Sequence, residues 1–168
     1  MKALREDNVR CLRRLRDLIL RLSDAQYTRS VSPCDHGIGS HVRHVLDHYD
    51  AFFRGLSDGT VNYDVRARCE HTAMSREIAC KRINNICAAL TNLSHVPESI
   101  GVIMDCGSDT SRCIASPSSG VRELQFLVSH TVHHDALIGA AANAMQVCAD
   151  ADYGLAPSTL QHLRQQKG

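Results

Sequence analysis

Apolar residues recur along this chain at alternating intervals of three and four, and that rhythm narrows the choice of fold more than any other feature. Four segments carry it. The first runs from about Leu4 to Leu22, with Leu4, Cys11, Leu15, Leu18 and Leu22 in a stripe that Leu12 and Ile19 widen. The second, from about Ile38 to Leu56, places Ile38, Val42, Val45, Tyr49, Phe52 and Leu56 on one face. The third, from about Ala73 to Leu93, repeats the pattern with Ala79, Ile83, Ile86, Leu90 and Leu93. The fourth is long, from about Val121 to Ala149, with Leu127, Thr131, His134, Ile138, Ala141 and Met145 in phase. Four amphipathic helices predict an all-α chain, a four-helix bundle, with residues 1–168 forming one domain.

Turn chemistry separates the helices. Ser32-Pro33 and Gly37 precede the second, and Ser57-Asp58-Gly59 ends it. Residues 94–120 hold Pro97, Gly101, Gly107 and Pro117 and form a long crossover connection, with room for a short strand or helical turn at Ile100 to Met104. Tyr153-Gly-Leu-Ala-Pro-Ser-Thr159 reads as a loop before a short final helix at Thr159 to Gln165.

The charge balance limits the partners. The formal net charge is +1, which gives no basic surface for nucleic acid. Arg10, Arg13, Arg14, Arg16 and Arg21, interrupted by Asp17 and Asp24, read as a solvated helix face. No apolar run approaches the ~20 residues that cross a bilayer, and the first residues are charged where a signal peptide needs an apolar stretch. The expected compartment is the cytoplasm, away from membranes. Eight cysteines are present, but no CxxC pair occurs. Cys80/Cys87 and Cys106/Cys113 share a seven-residue spacing, and reduced thiols are the expectation in that compartment.

Ten histidines are more than a packed core needs, because each neutral imidazole demands polar partners. His41, His44 and His48 share one flank of the second helix. His130, His133 and His134 sit on the fourth, with His130 and His134 one turn apart on the inward side. Two histidines at i and i+4 project side by side about 6 Å apart and can grip one metal ion. A third imidazole from the second helix would complete a three-nitrogen site with a position left for water or substrate. Helical phase alone leaves His41, His44 and His48 open as that third ligand. A carboxylate-bridged di-iron site is excluded, since no glutamate has a histidine three residues on. His36, His71, His95 and His162 fall in loops or near termini and read as surface residues. Zinc, nickel and iron all accept imidazole, and zinc is the expected ion.

Gly37-Ile-Gly-Ser-His-Val-Arg-His44-Val-Leu-Asp-His-Tyr and Arg122-Glu-Leu-Gln-Phe-Leu-Val-Ser-His130-Thr-Val-His-His134 resemble the two histidine motifs of the DinB/YfiT-like superfamily of metal-binding four-helix bundles. Val61-Asn-Tyr-Asp-Val-Arg-Ala-Arg68 and Tyr153-Gly-Leu-Ala-Pro-Ser-Thr159 are similar to further segments of one subgroup. The resemblance implies His44, His130 and His134 as the metal ligands. It also implies a thiol S-transferase using a low-molecular-weight thiol such as bacillithiol or mycothiol, or an isomerase. Two acidic residues of that subgroup are missing, replaced by Cys69 and Ala73, so the pocket differs in polarity. The acid that iron-dependent sulfoxide synthases place after their motif is Ala136 here, which argues against that chemistry.

The expected function is therefore a metal-dependent thiol S-transferase or hydrolase acting on a small molecule. In that reading Tyr63, Asp64, Arg66 and Arg68 lie on a loop at the pocket mouth. The two arginines hold a carboxylate of the substrate or thiol, and His48 or His133 serves as proton shuttle or outer partner. The alternative is a non-catalytic metal-binding interaction module, pairing as a homodimer through helix faces.

Overall fold

The computed structural model describes residues 1–105 and 113–166. The chain is mostly helical, with a small sheet that the helical periodicity does not announce. Four long helices, α1 (Lys2–Arg21), α3 (Ile38–Asp58), α5 (Arg76–Asn92) and α6 (Gly120–Ala144), supply most of the core. Helix α1 packs on α5 and α6, and α3 packs on the same two from the other side. Leu12, Leu15, Leu18 and Ile19 of α1 are fully buried, as are Ile38, Val42, Val45, Tyr49 and Phe52 of α3. These are the predicted stripes, and their burial is the main source of stability.

Several boundaries differ from the sequence reading, each for a local reason. A short helix, α2 (Asp24–Thr28), follows α1. It is started by a capping box in which Ser23 Oγ accepts from Gln26 N and Gln26 Oε1 accepts from Ser23 N. The third predicted helix is two, α4 (Glu70–Met74) and α5, divided where Ser75 takes an extended conformation and caps α5 through Ile78 N. Helix α6 stops at Ala144 rather than Ala149: Gln146 turns the chain at φ 61, and Asn143 Oδ1 accepts from Ala149 N. The last helix, α7 (Pro157–Gln165), starts two residues before the predicted Thr159, with proline in its first turn.

The expectation of an all-α chain is corrected by three strands, β1 (Thr60–Asn62), β2 (Ile100–Asp105) and β3 (Cys113–Ser118), in the order β1-β2-β3. Strands β1 and β2 are parallel, pairing Val61 with Val102, and β2 and β3 are antiparallel, pairing Val102 with Ser116. Strand β2 buries Ile100 and Val102 on the core, and pairing on both sides satisfies its backbone groups, while residues 114–117 of β3 stay exposed. Helix α3 ends at Gly59 in the left-handed region (φ 74), and β1 begins one residue later. Gly55 lets β1 lie directly on α3, since a Cβ there would come within 2.6 Å of Val61 Cα.

The α1 arginines are more than a solvated face. Arg14 pairs with Asp152 at 2.8 Å and Arg21 with Asp150 at 3.1 Å, tying the tail loop to α1. Tyr153 of that loop donates to the buried Asp135 carboxylate at 2.9 Å. Cys11, Cys34, Cys69, Cys80, Cys87 and Cys148 are free thiols. The Cys106/Cys113 pair lies outside the described residues and side chains. Among the described residues, no helix is long and apolar enough to cross a membrane.

Candidate metal centre

Helices α3 and α6 face each other, and their inward flanks bring five imidazoles together. His44, His130 and His134 form the centre: each offers a ring nitrogen, and the three lie within 4.8 Å of one another. No other group of three potential ligands among the described residues comes as close. Ring centroids are 4.7 Å apart for His44–His134 and His130–His134, and 5.0 Å for His44–His130. His48 stands against His130 at 4.0 Å, and His41 flanks His134 at 5.2 Å. His133 is exposed and touches only the rim, at His134.

Hydrogen bonds decide where the lone pairs are. His48 Nδ1 donates to the His44 carbonyl at 2.8 Å, which leaves the His48 Nε2 lone pair free. His41 Nδ1 and His134 Nδ1 are 3.0 Å apart, so one of them donates. When His134 is the donor its Nε2 is free for an ion and His41 is its outer partner. His130 Nε2 is buried and has no hydrogen-bond partner among the described residues. Arg66 Nη1 lies 2.8 Å from His44 Nδ1.

The cluster is held neutral. Burial, followed by repulsion from the neighbouring histidines, depresses His130 to about 2 and His44 to about 3, with Arg66 adding to the repulsion on His44. Burial, then His41 and His133, brings His134 to about 4. Burial also lowers His41 and His48. At neutral pH these rings therefore present lone pairs rather than charge. The residues fit a divalent ion on that ground: three neutral imidazoles, with one buried nitrogen left without a partner. Their 4.8 Å spread is what metal–nitrogen bonds of ~2.0–2.1 Å reach after a small side-chain rotation.

The loop after β1 forms one wall. Asn62 Oδ1 accepts from Asp64 N at 3.0 Å and Val65 N at 3.1 Å, turning the chain so that Arg66 reaches back to His44. Tyr63 stacks on His48, 22° from parallel with centroids 5.3 Å apart. Asp64 does not join the histidines; its Oδ2 accepts from Asp105 N and so fixes the loop to β2. Arg68 is exposed, with φ 48, and stays outside the cluster. Thus Tyr63 and Arg66 reach the centre, whereas Asp64, Arg68 and His133 do not.

Two residues of the wall were not foreseen. Phe126 packs on His130 with centroids 5.5 Å apart and on Tyr63 at 5.0 Å. Glu123, buried, accepts from Tyr63 Oη at 2.8 Å and from Ser118 Oγ at 2.5 Å. Both were within reach of the helical period, since Phe126 precedes His130 by four residues and Glu123 by seven.

No family model matches the chain, and no solved structure matches it. It is similar to FK506-binding protein 5 of Rhizopus delemar, 32% identical over 108 residues. That stretch takes in 63% of this chain and 28% of the relative. The chain thus spans little more than a quarter of the relative's length, and the FK506 binding in the name is a property of that protein.

Proposed function

We propose that this chain is a DinB-like four-helix bundle that holds one divalent metal ion, zinc foremost, through His44, His130 and His134, and that the site serves a thiol S-transferase or a hydrolase acting on a small molecule. The observation that carries the reading is the convergence of three neutral imidazoles from α3 and α6, with His130 Nε2 buried and without a partner. A structural zinc site usually closes with four protein ligands, whereas three suit catalysis. A divalent ion so held lowers the pKa of a thiol or water at its remaining position.

The surrounding residues support that use. Tyr63 and Phe126 shield His48 and His130 from water on one side. His48 is oriented by its bond to the His44 carbonyl, and its free Nε2 is placed to take a proton from a ligand.

Metal analysis after chelation and zinc reloading tests the ligand set. Wild-type protein retains one equivalent, and the His130→Ala, His134→Ala double variant retains none. A full equivalent in the double variant would refute the assignment. For the thiol reading, cobalt-loaded protein should gain a near-ultraviolet absorption band on addition of mercaptoethanol, and a spectrum unchanged at millimolar thiol turns the reading toward hydrolysis.

A further inference from the structure

We infer that Arg66 is a latch on the metal site: it occupies His44 until an ion displaces it, and once displaced it binds a carboxylate on the ligand that accompanies the ion. This rests on the three-histidine reading above. A neutral imidazole has one lone pair and one N–H, and a guanidinium has donors only. With Arg66 Nη1 at 2.8 Å from His44 Nδ1, Nδ1 is the acceptor and the ring proton sits on Nε2. Neither nitrogen of His44 then has a lone pair to give. An ion can bind His44 only after Arg66 has left, whichever nitrogen becomes the ligand. His130, in contrast, carries a buried nitrogen with no partner among the described residues.

The released guanidinium needs an anion. Among the described residues its Nε is buried without a hydrogen-bond partner and no carboxylate pairs with it; Asp47 and Asp50 are engaged by Arg82 instead. The three imidazoles bring no negative charge, so a bound divalent ion adds two positive charges beside Arg66, and the carboxylates that act on the neighbouring His48, Asp47 and Asp64, form no ion pair with Arg66 among the described residues. Partly buried charges of one sign demand a counter-charge. A carboxylate matches the two-pronged fork of a guanidinium and sits within reach of the ion's ligand shell. The ligand class is therefore a small molecule bearing a carboxylate close to its metal-seeking atom. Ion and anion must favour each other by the same factor, since each removes Arg66 from His44 or profits from its removal.

Zinc titrations against a chromophoric chelator test the latch, using wild-type and Arg66→Gln protein in chloride and in acetate at equal ionic strength. Removing a charged competitor for the lone pair should tighten zinc binding by about tenfold or more in chloride. Acetate should tighten binding in the wild type and leave the variant unchanged. Equal zinc affinity in the two proteins, weaker binding in the variant, or equal acetate effects overturn the latch. Nitrogen-15 spectra of the metal-free wild type need no variant. They should show His44 as the Nε2–H tautomer, changing on zinc addition, and an Nδ1–H tautomer in metal-free protein overturns the latch alone. Wild-type protein that takes up no zinc in either buffer removes the metal reading, and the latch with it.

Discussion

Helices α3 and α6 enclose two adjacent polar centres that handle burial in opposite ways. At Tyr49 and Thr131 the polar groups are closed on one another. Tyr49 Oη donates to Asn8 Oδ1 at 2.9 Å and lies 3.1 Å from Thr131 Oγ1, which donates to Leu127 O at 2.7 Å. Asn8 Nδ2 donates to Leu4 O and Leu124 O. At His48 and His130, their neighbours in sequence, and at His134, the rings crowd together and His130 Nε2 has no partner among the described residues. A satisfied network fastens α1 to α3 and α6. An unsatisfied one costs stability and gains it back only from a ligand. The difference separates a structural polar core from a candidate binding site on the same pair of helices.

The largest effect should come from His130→Leu. Zinc affinity should fall by more than about a hundredfold, beyond the ~10–100-fold cost of losing an outer hydrogen-bond partner. The metal-free variant should melt no lower than wild type, because an apolar group replaces a buried nitrogen that has no partner. A melting point well below that of the metal-free parent would place His130 among the structural groups and break the contrast.

Tyr49→Phe should do the reverse. It leaves Asn8 Oδ1 buried without its donor, and urea unfolding should show a loss of about 1–3 kcal/mol. Zinc binding should be unchanged. Loss of zinc along with stability would mean that the two centres act as one.

The pH dependence of metal-free stability sharpens the comparison further. His130, His44 and His134 are depressed to about 2, 3 and 4, from an ordinary 6.5. Below pH 6.5 the unfolded chain takes up protons that the folded cluster refuses, so stability is full above that pH and falls as the solution is acidified toward those values. Asp135 has the opposite sign. Burial raises its carboxyl from 3.8 to about 7, although Tyr153 and Arg14 oppose the shift, so its contribution is full below 3.8 and is lost as pH rises through 7. Urea unfolding at a series of pH values should therefore show a rise from pH 4 to 6.5, less steep in His130→Leu.

The smallest effect expected is that of Asp135→Asn. Stability should change by about 1 kcal/mol or less at pH 6. The loss of stability that Asp135 contributes between pH 3.8 and 7 should disappear, so the histidine-driven rise toward pH 6.5 becomes steeper. A rise between pH 4 and 6.5 no steeper than that of the parent would remove Asp135 as the opposing group.

Much of this was legible along the chain. The stripes through Leu15 and Leu18, through Val45 and Phe52, and through Ile83 and Leu90 gave the long helices, because burying one helical face requires that spacing. Ser23-Asp-Ala-Gln26 was a legible capping box for α2 that the stripes overshadowed. The break at Ser75 was harder to see, since Thr72 and Ala79, seven residues apart and both buried, keep helical phase across it. The strands β1 and β3 are short, and β3 holds Pro117 with no apolar alternation to mark it; their pairing with β2 joins residues distant in sequence.

The sequence by itself put His41, His44 and His48 on one flank of the second helix and His130 and His134 one turn apart on the fourth, because a helical period fixes the angle of each side chain about its own axis; only the family resemblance singled out His44. It also placed Asn62, whose side chain turns the following loop. What it left open was settled by tertiary structure: that α3 and α6 lie close enough to bring the three rings within 4.8 Å, that Arg66 rather than Arg68 arrives at His44, and that Glu123 holds Tyr63 against His48. Local sequence preferences act over a few residues. The direction of a lone pair, and what meets it, depends on how separate elements cross, and many crossings are compatible with the same helical stripes.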